Sequence, residues 1–347
     1  MCLVTFSWEN PDSLKKVKEF RLKNQVTWAH IELTDVCNFN CEWCYTEVDP
    51  DKKTYMSLET IEKLIMVLAN SGVKQITYAG GEPLMYPYIK EAVELAYKNG
   101  MIVHINSNGY FLTKHLAREL KKRGLSQIQL NISSLDAQLH DRIHGKAGAF
   151  YHVMKAMRNA EDAGITRVVQ TVLTKQNENK IYDIMKFVRE RFDVERCRVW
   201  DATPSGTALG KYDLYPSNYP KTLEKITEFA AKLGAKHVLS YEPLFPINYN
   251  SPIDITHLPC PSSDGILAHI FADTNVYFCS TLRDEPLYNV LDYDNISDVH
   301  KTKIKEFKKN FYTSSNCHLC KYSKICNMGC PTRSKINNNE IDYQCHI

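Results

Sequence analysis

Between Thr27 and about Gly234, short runs of β-branched and aromatic residues alternate with longer stretches whose apolar positions recur every three to four residues. That alternation predicts βα units and a parallel sheet. The expected strands are Trp28–Leu33, Gln75–Ala79, Met101–Asn106, Gln127–Ser133, Arg167–Leu173 and Arg196–Ala202. In the first helical stretch Leu58, Ile61, Leu64, Ile65 and Leu68 share one face, Ser57 can cap the start and Gly72 can end it. Gly100, Gly124, Gly164 and Gly234 close the later stretches in the same way. Six such units fall short of a closed eight-unit barrel, so the expected fold is α/β, a partial, open (βα)6 TIM-like barrel over residues 27–234 behind an extension of residues 1–26.

After Tyr241 the pattern changes. The stretch EPLFPINYNSPIDITHLPCP is rich in Pro and Asn, seven cysteines follow Tyr241, and helical periodicity returns only around Ile304–Phe311. Loops this long and irregular pack poorly by themselves, so metal sites are expected to staple residues 235–347 as a small cysteine-rich domain.

The 347 residues suit about two domains at roughly 150 residues each. With 44% hydrophobic and 24% charged residues the chain should fold throughout, and a net charge of +3 gives no reason to expect a nucleic-acid partner. The N-terminus lacks an export signal and no run approaches the ~20 apolar residues of a membrane span, so the expected location is cytoplasmic, without a membrane partner. Thiols stay reduced there, which turns the 12 cysteines from disulfide candidates into candidate ligands.

The first cysteine group, CNFNCEWCY, places Cys37, Cys41 and Cys44 in one loop directly after the first strand. A 4Fe-4S cluster takes four thiolates, so three within eight residues, at the strand end where barrels place their chemistry, suggest an iron left open for a ligand. A zinc site or reduced core cysteines are the alternatives, although zinc sites usually pair two Cys-x2-Cys units. The motif Cys37-x3-Cys41-x-Trp43-Cys44 resembles the signature of the radical SAM superfamily. Further segments match in order: AGGEP (79–83) at the end of the second strand, INSNG (105–109) at the third and NISSLDA (131–137) at the fourth, followed by HDRIHGKAGAFYHVMKAM. The resemblance covers about residues 28–205. It implies that Tyr45, Gly80, Gly81, Glu82, Asn108, Ser133 and Ser134 bind S-adenosylmethionine, Glu82 as an acceptor for the methionine amino group. Taken singly, such groups are more often turn glycines, solvated carboxylates or strand-end caps.

NCHLCKYSKICNMGCPTRS and the distal Cys345 resemble the SPASM extension of a subset of radical SAM enzymes. The resemblance implies two auxiliary 4Fe-4S clusters, one on Cys260, Cys279 and Cys330, the other on Cys317, Cys320, Cys326 and Cys345; a zinc ribbon is the alternative. Thr274 stands where such families usually carry glycine, five residues before Cys279. Cys2 and Cys197 are left over. Cys197, in RCRVWDA, is a candidate hydrogen-atom donor or a buried small hydrophobe, and Asp201 a candidate proton acceptor or a cap. Tyr212–Tyr219 and the His and Tyr residues of 237–249 could line a substrate mouth.

The resemblance implies reductive cleavage of S-adenosylmethionine to a 5′-deoxyadenosyl radical that abstracts hydrogen from a substrate, fed by an electron donor such as ferredoxin or flavodoxin. A peptide or protein substrate is favoured, modified by crosslinking, epimerisation or oxidation. Ser280 rather than Asp follows Cys279, which ranks formylglycine formation lower. About 26 residues precede the first strand, too few for a fused leader-binding domain, so a separate leader-peptide-binding protein is an expected partner. The rival is a dehydrogenase or coupling enzyme acting on a sugar, nucleoside or tetrapyrrole. A non-catalytic iron–sulfur or zinc protein is the remaining alternative.

Overall fold

The expected alternation is realised in the computed structural model, which describes residues 25–46, 53–194, 196–211, 214, 222, 228, 238–239, 260–311 and 330–336. The first helix shows how local sequence sets an element. Ser57 adopts extended backbone and its hydroxyl accepts the Thr60 N–H, and the helix Leu58–Asn70 (α1) buries Ile61, Leu64, Ile65 and Leu68 on one face. Around it the chain runs β1 (Trp28–Glu32), α1, β2 (Gln75–Ala79), α2 (Ile89–Lys98), β3 (Ile102–Ser107), α3 (Lys114–Lys122) and β4 (Leu125–Asn131). Then come α4 (Ala137–His144), α5 (Ala149–Asp162), β5 (Thr166–Leu173), α6 (Ile181–Phe192), β6 (Arg196–Asp201) and β7 (Val238–Leu239). Strands β1 to β7 pair in parallel and in sequence order, an open partial TIM barrel.

Strand parity separates the two faces of this sheet. Ala29, Ile31, Ile76, Tyr78, Val103, Ile105, Ile128, Leu130 and Val169 join the apolar core with the helices. Fully burying a side chain such as Ile31 contributes roughly 1.5–3 kcal/mol. The alternate positions are polar and bond to one another across strands. Trp28 Nε1 donates to Thr77 Oγ1 at 2.9 Å, Gln129 Nε2 to Gln170 Oε1 at 2.6 Å, and Arg198 to Gln129 Oε1 at 2.6 Å.

Of the two readings of Cys197, hydrogen-atom donor or buried small hydrophobe, its place in the strand agrees with the second. It shares its parity with Val199 and lies in the apolar core, where burial pushes its thiol up to about 12. There it is a packing residue. Asp201 ends β6, and its side chain is outside the described residues.

The sheet continues past the barrel into the segment allotted to the C-terminal domain. β8 (Leu267–Ile270) pairs in parallel with β1, Trp28 opposite Leu267, and β9 (Asn275–Tyr277) and β10 (Tyr288–Asn289) follow antiparallel. Thr274, in the turn before β9, has φ +66°. This is left-handed backbone, the conformation that glycine adopts most readily. Helix α7 (Ser297–Phe311) packs Ile304 on Phe278 and Leu282, and α8 (Pro331–Ile336) follows Cys330. Ser71, at the end of α1, accepts the Ile296 N–H at its hydroxyl and the Ser297 hydroxyl at its carbonyl, which ties the two regions together. Cys317, Cys320, Cys326 and Cys345 lie outside the described residues, as do the aromatic segments after residue 211 except Leu214 and β7. Among the described residues no helix is long and apolar enough to cross a membrane.

Candidate functional site

β1 leads into the cysteine loop, and four other segments hold that loop in place. Thr34 fastens its start: its hydroxyl donates to the Thr54 carbonyl at 2.7 Å and accepts the Val36 N–H at 3.0 Å. Gly81 N–H donates to the Thr34 carbonyl and Glu82 N–H to the Val36 carbonyl, both at 2.8 Å. A Cβ on Gly80 would lie 2.2 Å from the Thr34 oxygen, and one on Gly81 2.1 Å from the Val36 oxygen. Two successive glycines thus let the β2 loop lie backbone to backbone against the cysteine loop. From the other side, the Asn40 and Glu42 N–H groups donate to the carbonyls of His144 and Ile143 at the end of α4, at 3.3 and 2.9 Å. Thr207, after β6, donates its N–H to the Cys44 carbonyl at 2.9 Å and its hydroxyl to the Cys41 carbonyl at 2.9 Å.

Glu82 joins the ends of β2 and β3. Its Oε1 accepts the Ser107 hydroxyl at 2.7 Å and the Leu84 N–H at 3.0 Å, and its Oε2 accepts the Asn108 N–H at 2.8 Å. Burial pushes its carboxyl up to about 7, against those hydrogen bonds. Oε2 keeps one lone pair for a further donor. Asn108 bridges to the cysteine loop, donating from Nδ2 to Asn38 Oδ1 at 2.9 Å. Ser133 and Ser134 are both buried with engaged hydroxyls: Ser133 donates to Asn131 Oδ1 at 3.1 Å, and Ser134 accepts the Asp136 N–H at 3.0 Å.

Cys37, Cys41 and Cys44 are free and half-buried. Burial pushes the Cys37 thiol up to about 12 and holds Cys41 well above its ordinary value, with the other two thiols of the loop adding to the rise at Cys41. Among the described residues no three His, Cys, Asp or Glu side chains close on a single metal ion. A cubane binds each thiolate at a different iron, so it needs three sulfurs around a shared space, with one iron left for a further ligand. The donor set fits that group: three free thiols that sense one another, on a loop whose backbone is bonded on both sides.

A second thiol region adjoins the first. Burial pushes Cys260 up to about 11, with Cys279 adding to the rise. Cys279 Sγ lies 3.2 Å from Thr281 Oγ1, which lies 2.6 Å from Thr332 Oγ1 just beyond Cys330. Arg283 spans the two regions: it donates to Glu32 Oε1 at 2.5 Å and lies over the rings of Phe271 and Tyr45 at 4.1 and 5.4 Å. Burial raises the Glu32 carboxyl and the Tyr45 phenol, with Arg283 opposing both. Glu32, Thr207, Arg283 and His144 were missed by the sequence reading. Glu32 alone carried a local signal, a carboxylate at the end of a strand that enters the cysteine loop.

Residues 31–188 match the Radical SAM superfamily. The matched stretch is 158 of the 347 residues. AdoMet-dependent heme synthase of Nitratidesulfovibrio vulgaris is 25% identical over 325 residues, 87% of this chain and 86% of that protein. GTP 3′,8-cyclase of Campylobacter fetus is 30% identical over 172 residues, and there the match spans 48% of this chain and about half (53%) of the relative. Among solved structures, SuiB of Streptococcus suis bound to the precursor peptide SuiA superposes with a TM-score of 0.75 at 17% identity, covering 98% of this chain and 82% of that one. The anSMEcpe enzyme with AdoMet and the Cp18Cys peptide gives 0.72 at 18% identity, covering 92% and 94%. These structural likenesses show the fold.

Proposed function

We propose that this chain is a radical SAM enzyme whose cluster is held by Cys37, Cys41 and Cys44 and whose substrate is a peptide or protein. The observation that carries the proposal is the three-thiol loop locked between the ends of β1, β2, α4 and β6. When bound, the cluster and S-adenosylmethionine supply a 5′-deoxyadenosyl radical by one-electron cleavage of a carbon–sulfur bond. The protein's part is to hold and enclose. The free lone pair on Glu82 Oε2 suits an ammonium donor, and Asn108 and Tyr45 adjoin the same loop. The polar sheet face offers His30, His104, Gln127, Gln129 and Arg198 to a polar substrate. Cys260, Cys279 and Cys330 are read as ligands of one auxiliary cluster, and Cys317, Cys320, Cys326 and Cys345 as ligands of a second, in a C-terminal SPASM domain. The location is read as cytoplasmic, with ferredoxin or flavodoxin as reductant and a separate leader-binding protein as partner.

The peptide reading is supported by SuiB and anSMEcpe, both solved with peptides and both alike over nearly the whole chain. A tetrapyrrole or other small molecule is the second reading, supported by the heme synthase match over 87% of this chain. The test is anaerobic: reconstituted protein with S-adenosylmethionine and dithionite, followed for 5′-deoxyadenosine by mass spectrometry beside a Cys37, Cys41, Cys44→Ala triple variant. Release by the wild type alone is expected. A colourless protein that binds zinc instead of iron would refute the proposal. Short peptides encoded beside the gene and tetrapyrrole carboxylates, added in parallel, separate the two substrate readings by which one changes mass.

A further inference from the structure

The last turn of α4 and the cysteine loop form one packed unit. The carbonyls that a helix C-terminus leaves unpaired here accept N–H groups of the loop. A Cβ on Gly145, which ends α4 in left-handed backbone, would lie 2.3 Å from the Asn40 oxygen. Inside this unit His144 is only 2% exposed. The rings of Trp43 and Phe39 meet it edge-on at 5.4 and 5.8 Å, and His140 stacks on it at 4.2 Å. These contacts fix the orientation of the ring. Nδ1 lies 3.4 Å from Cys41 Sγ, and Nε2 lies 3.1 Å from Ser133 Oγ.

We infer, on the reading of Cys37, Cys41 and Cys44 given above, that His144 donates a hydrogen bond to the Cys41 thiolate and thereby raises the reduction potential of the cluster. A ligating thiolate only accepts hydrogen bonds, so the nitrogen facing it carries the proton. Nε2 is then the acceptor, and the Ser133 hydroxyl turns from Asn131 Oδ1 to donate to it. A reduced cluster carries one more negative charge than an oxidised one, so a donor on its sulfur favours the reduced state. The aromatic enclosure keeps water from competing for the sulfur, which strengthens the bond. Because His144 acts through Cys41, it is a positioning residue rather than a catalytic one.

The test uses the full chain, reconstituted anaerobically and poised with redox dyes. Only the electron paramagnetic resonance signal that changes on adding S-adenosylmethionine is followed, which sets this cluster apart from any other. His144→Phe keeps the packed ring and removes both nitrogens, whereas His144→Asn keeps an amide N–H near the place of Nδ1. At the wild-type midpoint, His144→Phe with wild-type iron content is expected to show a tenfold lower ratio of reduced to oxidised cluster. For a one-electron couple that is about 59 mV. His144→Asn is expected to stay within threefold of wild type. An iron-replete His144→Phe within twofold of wild type, or an Asn variant that tracks Phe, overturns the inference. If His144→Phe takes up no iron, the Asn variant decides: iron with wild-type potential supports the hydrogen bond, and iron with a shifted potential overturns it. Both variants without iron also overturn it, since the ring's packing would then be what the loop requires. A wild type with no signal responsive to S-adenosylmethionine defeats the underlying assignment instead, a separate outcome.

Discussion

His300, on α7, is fully buried with Nδ1 2.9 Å from the Tyr288 hydroxyl, and burial lowers its pKa from 6.5 to about 4. The other titratable groups near it are Tyr288, whose phenol burial raises, and His269, which burial holds well below its ordinary value. A base whose folded pKa is depressed stabilises the fold above its unfolded pKa, and that stability is lost as pH falls from 6.5 toward 4. At 1.36 kcal/mol per unit, the loss from this residue is about 2 kcal/mol at pH 5 and about 3 kcal/mol at pH 4. That is a large part of a typical stability of roughly 5–15 kcal/mol. His300→Leu removes the titration but strands the buried Tyr288 hydroxyl, at a pH-independent cost of about 1–3 kcal/mol. The variant is therefore expected to be less stable than wild type at pH 7, with a gap that closes by about 2 kcal/mol on going to pH 5. Anaerobic urea unfolding followed by tryptophan fluorescence at pH 7, 6 and 5 measures the gap. Acid loss of iron–sulfur centres is common to both proteins and cancels in the difference. Parallel stability curves, constant to within about 0.5 kcal/mol, would refute a depressed His300.

Gly81→Ala puts a methyl 2.1 Å from the Val36 oxygen and breaks the two loop-to-loop hydrogen bonds at Gly81 and Glu82. The expected cost is roughly 2–4 kcal/mol, with loss of iron from the Cys37 loop, read by iron per chain and thermal melting. Arg283→Gln leaves Glu32, whose side chain is 6% exposed, without its cation, for an expected loss of roughly 3 kcal/mol. Adding Glu32→Gln should recover most of that, and purely additive costs in the double-mutant cycle would show that the pair is not coupled. Cys279→Ser should lower iron by roughly four atoms per chain, one cluster, whereas the core thiol variant Cys197→Ala should leave iron unchanged. Iron assay of both preparations checks the pair of expectations.

The strands β1 to β6 were legible because short strand-like runs alternate regularly with longer helical stretches, and their observed ends differ from the expected ones by no more than two residues. β8 was not legible. Its four residues, LAHI, are too short to show a period. What makes it a strand is the edge of β1, supplied by residues more than 200 positions earlier. The same distinction runs through the site. Cysteine spacing is local, so the loop could be read from its own residues. The groups that hold it lie 103 positions away at His144 and 163 at Thr207, and Arg283 stands 251 positions from Glu32. No local pattern encodes such pairs.

Cys197 is a different case, because its buried reading could be taken from its own strand. In RCRVW the cysteine alternates with arginines and shares parity with valine, and on strands whose other face is lined by glutamine, histidine and arginine the apolar parity belongs to the helix-packed side. Glu82 makes the complementary point. A motif position expected to meet a ligand is here also the bolt between β2 and β3, with three protein donors on its carboxylate. Its two tasks place opposite demands on a substitution. Glu82→Gln can still accept at Oε1, but its amide turns a donor toward the Asn108 N–H, so loss of activity in that variant would report a displaced loop as readily as a lost ligand contact. Separating the two requires the ligand-free protein, in which only the structural task remains.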